Sequence, residues 1–219
     1  MKRLCLLASL ILVSLSSISQ ENQLPPQYKP IKEVFGDLDK DGIKERVVVY
    51  NMHDREDDPE GIPREIVILK KKGDQWTTWH RSANAIGGTK DGGMMGDPFE
   101  DVEIVKGILM ISESGGSSWK WNHTDKYRFQ NNAFELIGYQ SHDGRPCDYW
   151  ESFDYNLSTG KIEFKKDYEK CNDDGEDLEV YKKEAESFVY KTKIKIRLEN
   201  RKKEDIKIVT PKYKHALYL

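Results

Sequence analysis

The run Asp37-Leu38-Asp39-Lys40-Asp41-Gly42-Ile43-Lys44-Glu45, followed by Arg46 and then Val47-Val48-Val49-Tyr50, decides how the chain is read. Carboxylates at alternate positions curl around one hard cation, Gly42 permits the bend that turns them inward, and the Ile43 carbonyl adds a neutral oxygen. Glu45 then closes the cage, so the pattern predicts a structural Ca2+ held by Asp37, Asp39, Asp41, Ile43 and Glu45. A helical calcium hand requires a bidentate Glu at the twelfth loop position and an amphipathic helix after it. Here that position is Val48 and a β-branched run surrounds it, so the loop feeds a strand.

Outward from that strand the pattern stays β. Residues 46–51 and 65–69 contain consecutive apolar residues, Val47 to Tyr50 and Ile66 to Leu69, which predicts strands buried on both faces. Gly73-Asp74 is a turn signal, and residues 75–81 form the returning strand. Further on, Lys106-Gly107, Asn131-Asn132 and Ser158-Thr159-Gly160 each separate two strand-like runs and predict three hairpins. Residues 173–187, rich in Asp, Glu and Lys, leave room for one short helix. Tyr190, Thr192, Ile194, Ile196 and Leu198 then alternate with Lys191, Lys193, Lys195 and Arg197, the pattern of a half-buried strand with a basic outer face. Exposed lysines on a strand prevent unwanted edge pairing, and that reading is preferred to anionic-polymer recognition. The expected fold is mainly β: a single compact antiparallel domain of hairpins, propeller-blade-like or sandwich-like, with at most one or two short helices.

The N-terminus reads as an export signal. Lys2 and Arg3 precede an apolar stretch from Leu4 to Val13 and the small residues Ser14, Ser16, Ser17 and Ser19. The apolar core is short for a bilayer span, so residues 1–19 are expected to be removed and no stable membrane span to remain. Residues 20–30, with Pro25, Pro26 and Pro30, form an extended leader, and residues 31–219 form the domain. Processing leaves 33 Lys and Arg against 38 Asp and Glu, a net charge of −5 that offers nucleic acid no long-range attraction. The expected location is the periplasm or the extracellular space. Two cysteines survive processing, Cys147 and Cys171; in an oxidising compartment an even count favours a disulfide, and no CxxC spacing supports a redox or metal site. The bridge closes a loop of 25 residues, counting both ends.

With loop and strand in view, residues 36–50 resemble the calcium-loop unit of FG-GAP/VCBS-type extracellular proteins, the integrin-like β-propeller repeats. The resemblance covers about one blade, and it implies side-chain ligation by Asp37, Asp39, Asp41 and Glu45 with the Ile43 carbonyl. Glu45 departs from the commoner Asp at the closing position. No second DxDxDG occurs, whereas a full propeller needs several similar blades. The remainder loosely resembles uncharacterised exported bacterial β-rich proteins that carry one such loop at the start, which favours a compact β domain and implies no activity.

Catalytic patterns are weak. Ser114, His123 and Asp125 lie close in sequence without a nucleophile elbow, and the five histidines show no paired spacing for zinc. Trp119, Trp121, Tyr127, Tyr139, Tyr149 and Trp150 sit beside polar residues and glycines, a composition suited to an aromatic platform for a glycan or protein. The expected function is therefore a non-enzymatic exported domain, calcium-stabilised, that binds a protein or carbohydrate ligand. The alternative is a secreted hydrolase with a site near the glycine-rich residues 87–96 and residues 142–151. A pocket uniting His142, Asp143 and Asp148 with raised carboxyl pKa values would favour the hydrolase.

Overall fold

The computed structural model describes residues 24–55, 57–172, 178–201 and 206–219; the expected export signal at 1–19 lies outside them. A four-stranded antiparallel meander comes first, formed by β1 (Lys29–Gly36), β2 (Glu45–Asn51), β3 (Arg64–Lys72) and β4 (Gln75–Ser82). A seven-stranded antiparallel sheet follows, with β5 (Phe99–Val105), β6 (Ile108–Gly116), β7 (Lys120–Gln130), β8 (Ala133–Arg145), β9 (Tyr149–Asn156), β10 (Lys161–Cys171) and β11 (Leu178–Val189) in chain order. A short hairpin of β12 (Lys207–Val209) and β13 (Ala216–Tyr218) ends the chain. Among the described residues, helix is limited to two 3-10 turns, Gly93–Met95 and Leu198–Asn200, so none is long and apolar enough to cross a membrane. The β-rich, antiparallel expectation holds.

The predicted hairpins form because their turn residues accept left-handed backbone. Lys106 and Gly107, and Asn131 and Asn132, all have positive φ, as two-residue turns of the primed type require. The apolar runs of β2 and β3 are buried on both faces, as expected. Val47, Val49, Ile66 and Ile68 join the main core; Val48, Tyr50, Val67 and Leu69 pack on the opposite face, with Leu24, Tyr28 and Trp76 against them. Burying one such side chain contributes roughly 1.5–3 kcal/mol, which is why the leader around Tyr28 is held against this sheet. The main core is shared by both sheets and by Ile196, Leu198, Ile206, Ile208, Leu217 and Leu219 of the C-terminal segment.

Two expectations need correction. Residues 190–198 are not a strand: the chain leaves the sheet after Val189 and makes one isolated bridge, between Arg197 and Glu135. The alternating pattern was real, but only Ile196 and Leu198 find a core to enter, and Ile194 stays exposed. Residues 178–187 are not helical either; they form β11, because pairing with β10 over its whole length satisfies the backbone that a lone polar helix would not. Residues 173–177 lie outside the described set.

A single irregularity in β8 positions the functional surface. Lys126 pairs with Gly138 but Tyr127 pairs with Leu136, so Ile137 is an extra residue on β8. Side chains alternate faces along a strand, and one inserted residue reverses the parity beyond it. Before the bulge Phe134 and Leu136 point to the core; beyond it Tyr139, Ser141 and Asp143 take the inner face, opposite Asp125, His123 and Trp121.

Candidate functional site

The inner face of the large sheet is apolar at one end and polar at the other. Leu109 and Ile111 on β6 give way to Glu113, Tyr127 on β7 gives way to Asp125, His123 and Trp121, and Ile162 and Phe164 on β10 give way to Lys166. The registers align these changes into rungs. One runs Trp121, Asp143, Glu151, Lys166 across four strands, and the next runs Glu113, His123, Ser141, Phe153. Beside them opens a cavity of about 630 Å³, walled by the sheet, by Asp91, by Arg201 and by β13.

Aromatic rings pave one side of it. Trp121 stacks on His123 at 5.6 Å between centroids, His123 on Tyr139 at 5.9 Å, and Phe153 meets Tyr139 edge-on at 5.6 Å. Gly115 makes room for this, since a Cβ there would stand 2.5 Å from the Trp121 ring and 2.7 Å from the Gly92 carbonyl oxygen. Hence the glycine-rich loop can approach β6, where the Gly116 amide donates to the Gly92 carbonyl and the Gly87 amide to the Glu113 carboxylate at 2.6 Å.

The cations around the cavity are matched among the described residues. Arg201 pairs with Asp125 at 2.7 Å, both almost completely buried; Lys166 pairs with Glu151 at 2.9 Å; His123 Nε2 lies 3.2 Å from Glu113. Asp143 stands apart. The Ser141 hydroxyl donates to it at a long 3.4 Å, and burial, reinforced by the facing Glu151 carboxylate, pushes its pKa up to about 6. Its pKa in the folded chain thus exceeds the unfolded value near 3.8, so the folded state holds more protons between the two and stability falls as pH rises through that window. Asp143→Asn is expected to raise the melting temperature at pH 7.5 and to give little gain at pH 4, measured by calorimetry. An equal change at both pH values would show that the carboxylate is not under this strain.

The structure distributes the residues singled out in the sequence unevenly. Asp91 from the 87–96 loop and Asp143 and Glu151 from residues 142–151 do meet in one cavity. His142 does not; the β8 bulge turns it to the outer face, where it stacks on Trp150 and bonds Ser152 at 2.9 Å. Asp148 is paired with Arg145 in the exposed turn, and Ser114 faces Glu100, away from His123. Of the aromatic candidates, Trp121 and Tyr139 line the cavity, Trp119 and Tyr149 pack on each other, and Tyr127 is core. His123, Glu113 and Arg201 were not recognised as a group because their proximity arises only across strands.

The acidic loop is the second cluster. Asp37, Asp39 and Glu45 each bring a ligand atom within 4.8 Å of the others. Gly42 has φ +86°, and its amide and that of Lys40 donate to Asp37 at 3.0 and 2.6 Å, which curls the loop inward. Glu45 is buried and accepts the Leu38 amide at 2.7 Å; burial, with Asp39 and Asp41 nearby, raises its pKa. Asp41 lies outside the three-residue group, its carboxylate accepting the Ile43 amide at 2.8 Å, while the Ile43 side chain is exposed. Sequence reasoning missed Lys70 on β3. Its ammonium contacts Asp39, lies 3.3 Å from Asp41 and 3.9 Å from Glu45, and the first two carboxylates, Asp39 foremost, raise its pKa. One ammonium answers three carboxylates and Asp37 adds a fourth to the loop, so the donor set still suits a divalent cation.

The disulfide joins Cys147 in the β8–β9 turn to Cys171 at the end of β10, with Cα atoms 5.0 Å apart. It closes off the two-strand unit carrying Glu151, Phe153 and Lys166. Compared with protein-family models, curated proteins and solved structures, the chain matches none.

Proposed function

We propose that this is an exported, calcium-stabilised β-rich domain that binds a protein or carbohydrate ligand in the cavity at the polar end of the seven-stranded sheet. The observation that carries the reading is the cavity itself: about 630 Å³, paved by Trp121 and Tyr139 and edged by Asn122, Ser141, Asp143 and Glu151. Aromatic faces with a few convergent polar groups are the usual make-up of a small-ligand site. Export is supported by the tripartite N-terminus and by the disulfide. Calcium is supported by the convergence of Asp37, Asp39 and Glu45.

Pull-down from native envelope and secreted material, with wild type and Trp121→Ala, tests the binding role. Capture of a defined glycan or protein that Trp121→Ala abolishes supports it; identical capture by both places binding elsewhere. Calcium in the extracellular range is expected to raise the melting temperature relative to chelator, by mass action on the folded state, and Asp39→Ala to remove the increment. Superimposable melting curves in calcium and chelator would sink the calcium staple.

A second reading is favoured by one observation. Asp143 and Glu151 are direct cross-strand partners inside the cavity, and a carboxyl titrating at about 6 beside a second carboxylate is the arrangement of an acid–base pair. Under it, an oligosaccharide captured by wild type is recovered cleaved, and Asp143→Asn recovers it intact.

A further inference from the structure

We propose that the cavity takes an organic cation, a primary ammonium or guanidinium group seated against the Asp143 carboxylate with the Trp121 indole alongside. The inference rests on the reading of the cavity as the ligand site and names the chemistry of what enters it.

Charge balance within the cavity argues for it. From β7, His123 lies against Glu113 of β6, and Asp125 pairs with Arg201 of the C-terminal segment. From β10, Lys166 is engaged by Glu151 of β9, its Nζ also lying 3.2 Å above the Tyr149 ring. His142, the neighbour of Asp143 on β8, is turned to the opposite face and held by Ser152. Among the described residues what is left over is acidic. Asp91 accepts the Gly88 amide, and Asp143 makes no ion pair among the described residues, although it faces Glu151 directly. An anionic ligand would meet this surplus as repulsion. A neutral one would leave Asp143 with its desolvation uncompensated, whereas a cation offsets both.

Proton linkage follows with a definite sign. Asp143 must be ionised to pair, and its carboxyl titrates at about 6, so cation affinity rises with pH through that value. The pairing in turn draws the carboxyl back toward its ordinary range.

Titration calorimetry on the chain expressed from Met1, with calcium present, uses blocked arginine and blocked lysine as probes, since both keep their charge from pH 5 to 7.5. Glucosamine oligomers and their N-acetylated counterparts at pH 6.5 form the sugar arm. Blocked arginine or lysine is expected to bind about tenfold more tightly at pH 7.5 than at pH 5, the ratio of ionised fractions for a group titrating near 6. Asp143→Asn should abolish that binding while leaving the near-ultraviolet circular dichroism of the tryptophans intact. Binding of the glucosamine oligomers but not of the amino acids would assign the cation to an aminosugar, the reverse to a protein side chain. N-acetylated oligomers binding as well as glucosamine oligomers, with Trp121→Ala abolishing both, would overturn the cation and keep the ligand site. No binding by any probe, together with pull-down unchanged in Trp121→Ala, would overturn both.

Discussion

Asp125→Ala is expected to destabilise the domain by about 3–5 kcal/mol, the usual result of removing one partner from a buried ion pair. Asp125 and Arg201 are each 2% exposed, and two bonds at 2.7 and 3.2 Å join carboxylate to guanidinium. The same carboxylate accepts the hydroxyl of Tyr127, which is fully buried, at 2.9 Å. Truncation therefore strips an acceptor from two buried donors at once. For a domain of this size each kcal/mol moves the melting temperature by about 2–4 °C, so the drop is easily read by calorimetry. The consequence extends beyond stability: Arg201 anchors the C-terminal segment to β7, and that segment supplies the Ala216 to Leu219 wall of the cavity. A double replacement, Asp125→Leu with Arg201→Met, is expected to cost less than Asp125→Ala alone, because the buried guanidinium is removed together with the carboxylate that it pairs with. A loss below about 1 kcal/mol for Asp125→Ala would mean that this network is not a buried anchor.

The second large effect is expected from the disulfide. Replacing Cys147 and Cys171 by serine removes a cross-link between residues 24 apart in sequence, which in the loop-entropy model costs about 3 kcal/mol. The loss should fall on the unit between them, so hydrogen exchange is expected to quicken in β9 and the first half of β10, which present Glu151, Phe153 and Lys166. A reducing agent should lower the melting temperature of wild type to that of the double-serine variant and leave the variant unmoved. Equal melting of oxidised wild type and the variant would exclude a stabilising bridge.

The legible features of this chain are those whose cause lies within a few residues. Lys106-Gly107 and Asn131-Asn132 announce hairpins because left-handed backbone is a property of the residue and its neighbour. The valine run of β2 announces a strand buried on both faces because branched side chains leave an extended backbone little else to do. The curl of Asp37 through Glu45 is visible for the same reason, each carboxylate finding an amide two to seven residues away. Lys70 is not visible, since it reaches Asp39 from β3, 31 residues on.

Residues 190–198 mark the limit of pattern reading. Their alternation satisfies every rule for a strand, but only Ile196 and Leu198 reach the core, and the backbone makes a single bridge, Arg197 to Glu135, in place of a ladder. In the same way the sequence offered His142, Asp143 and Asp148 as equals. One extra residue at Ile137 reversed the parity of β8, sent His142 outward and brought Asp143 opposite Trp121 and Glu151.

By itself, then, the sequence determined that this chain is a β protein of hairpins with an acidic loop before its second strand, because turn chemistry, branching and short-range carboxylate–amide bonds are local. Only the tertiary structure decided which carboxylate lies in the cavity, which lysine answers the acidic loop and which arginine, 76 residues from its aspartate, ties the C-terminus to the sheet. Those outcomes depend on register and on which face of a strand meets the core, and a single bulge changes both without altering any local preference.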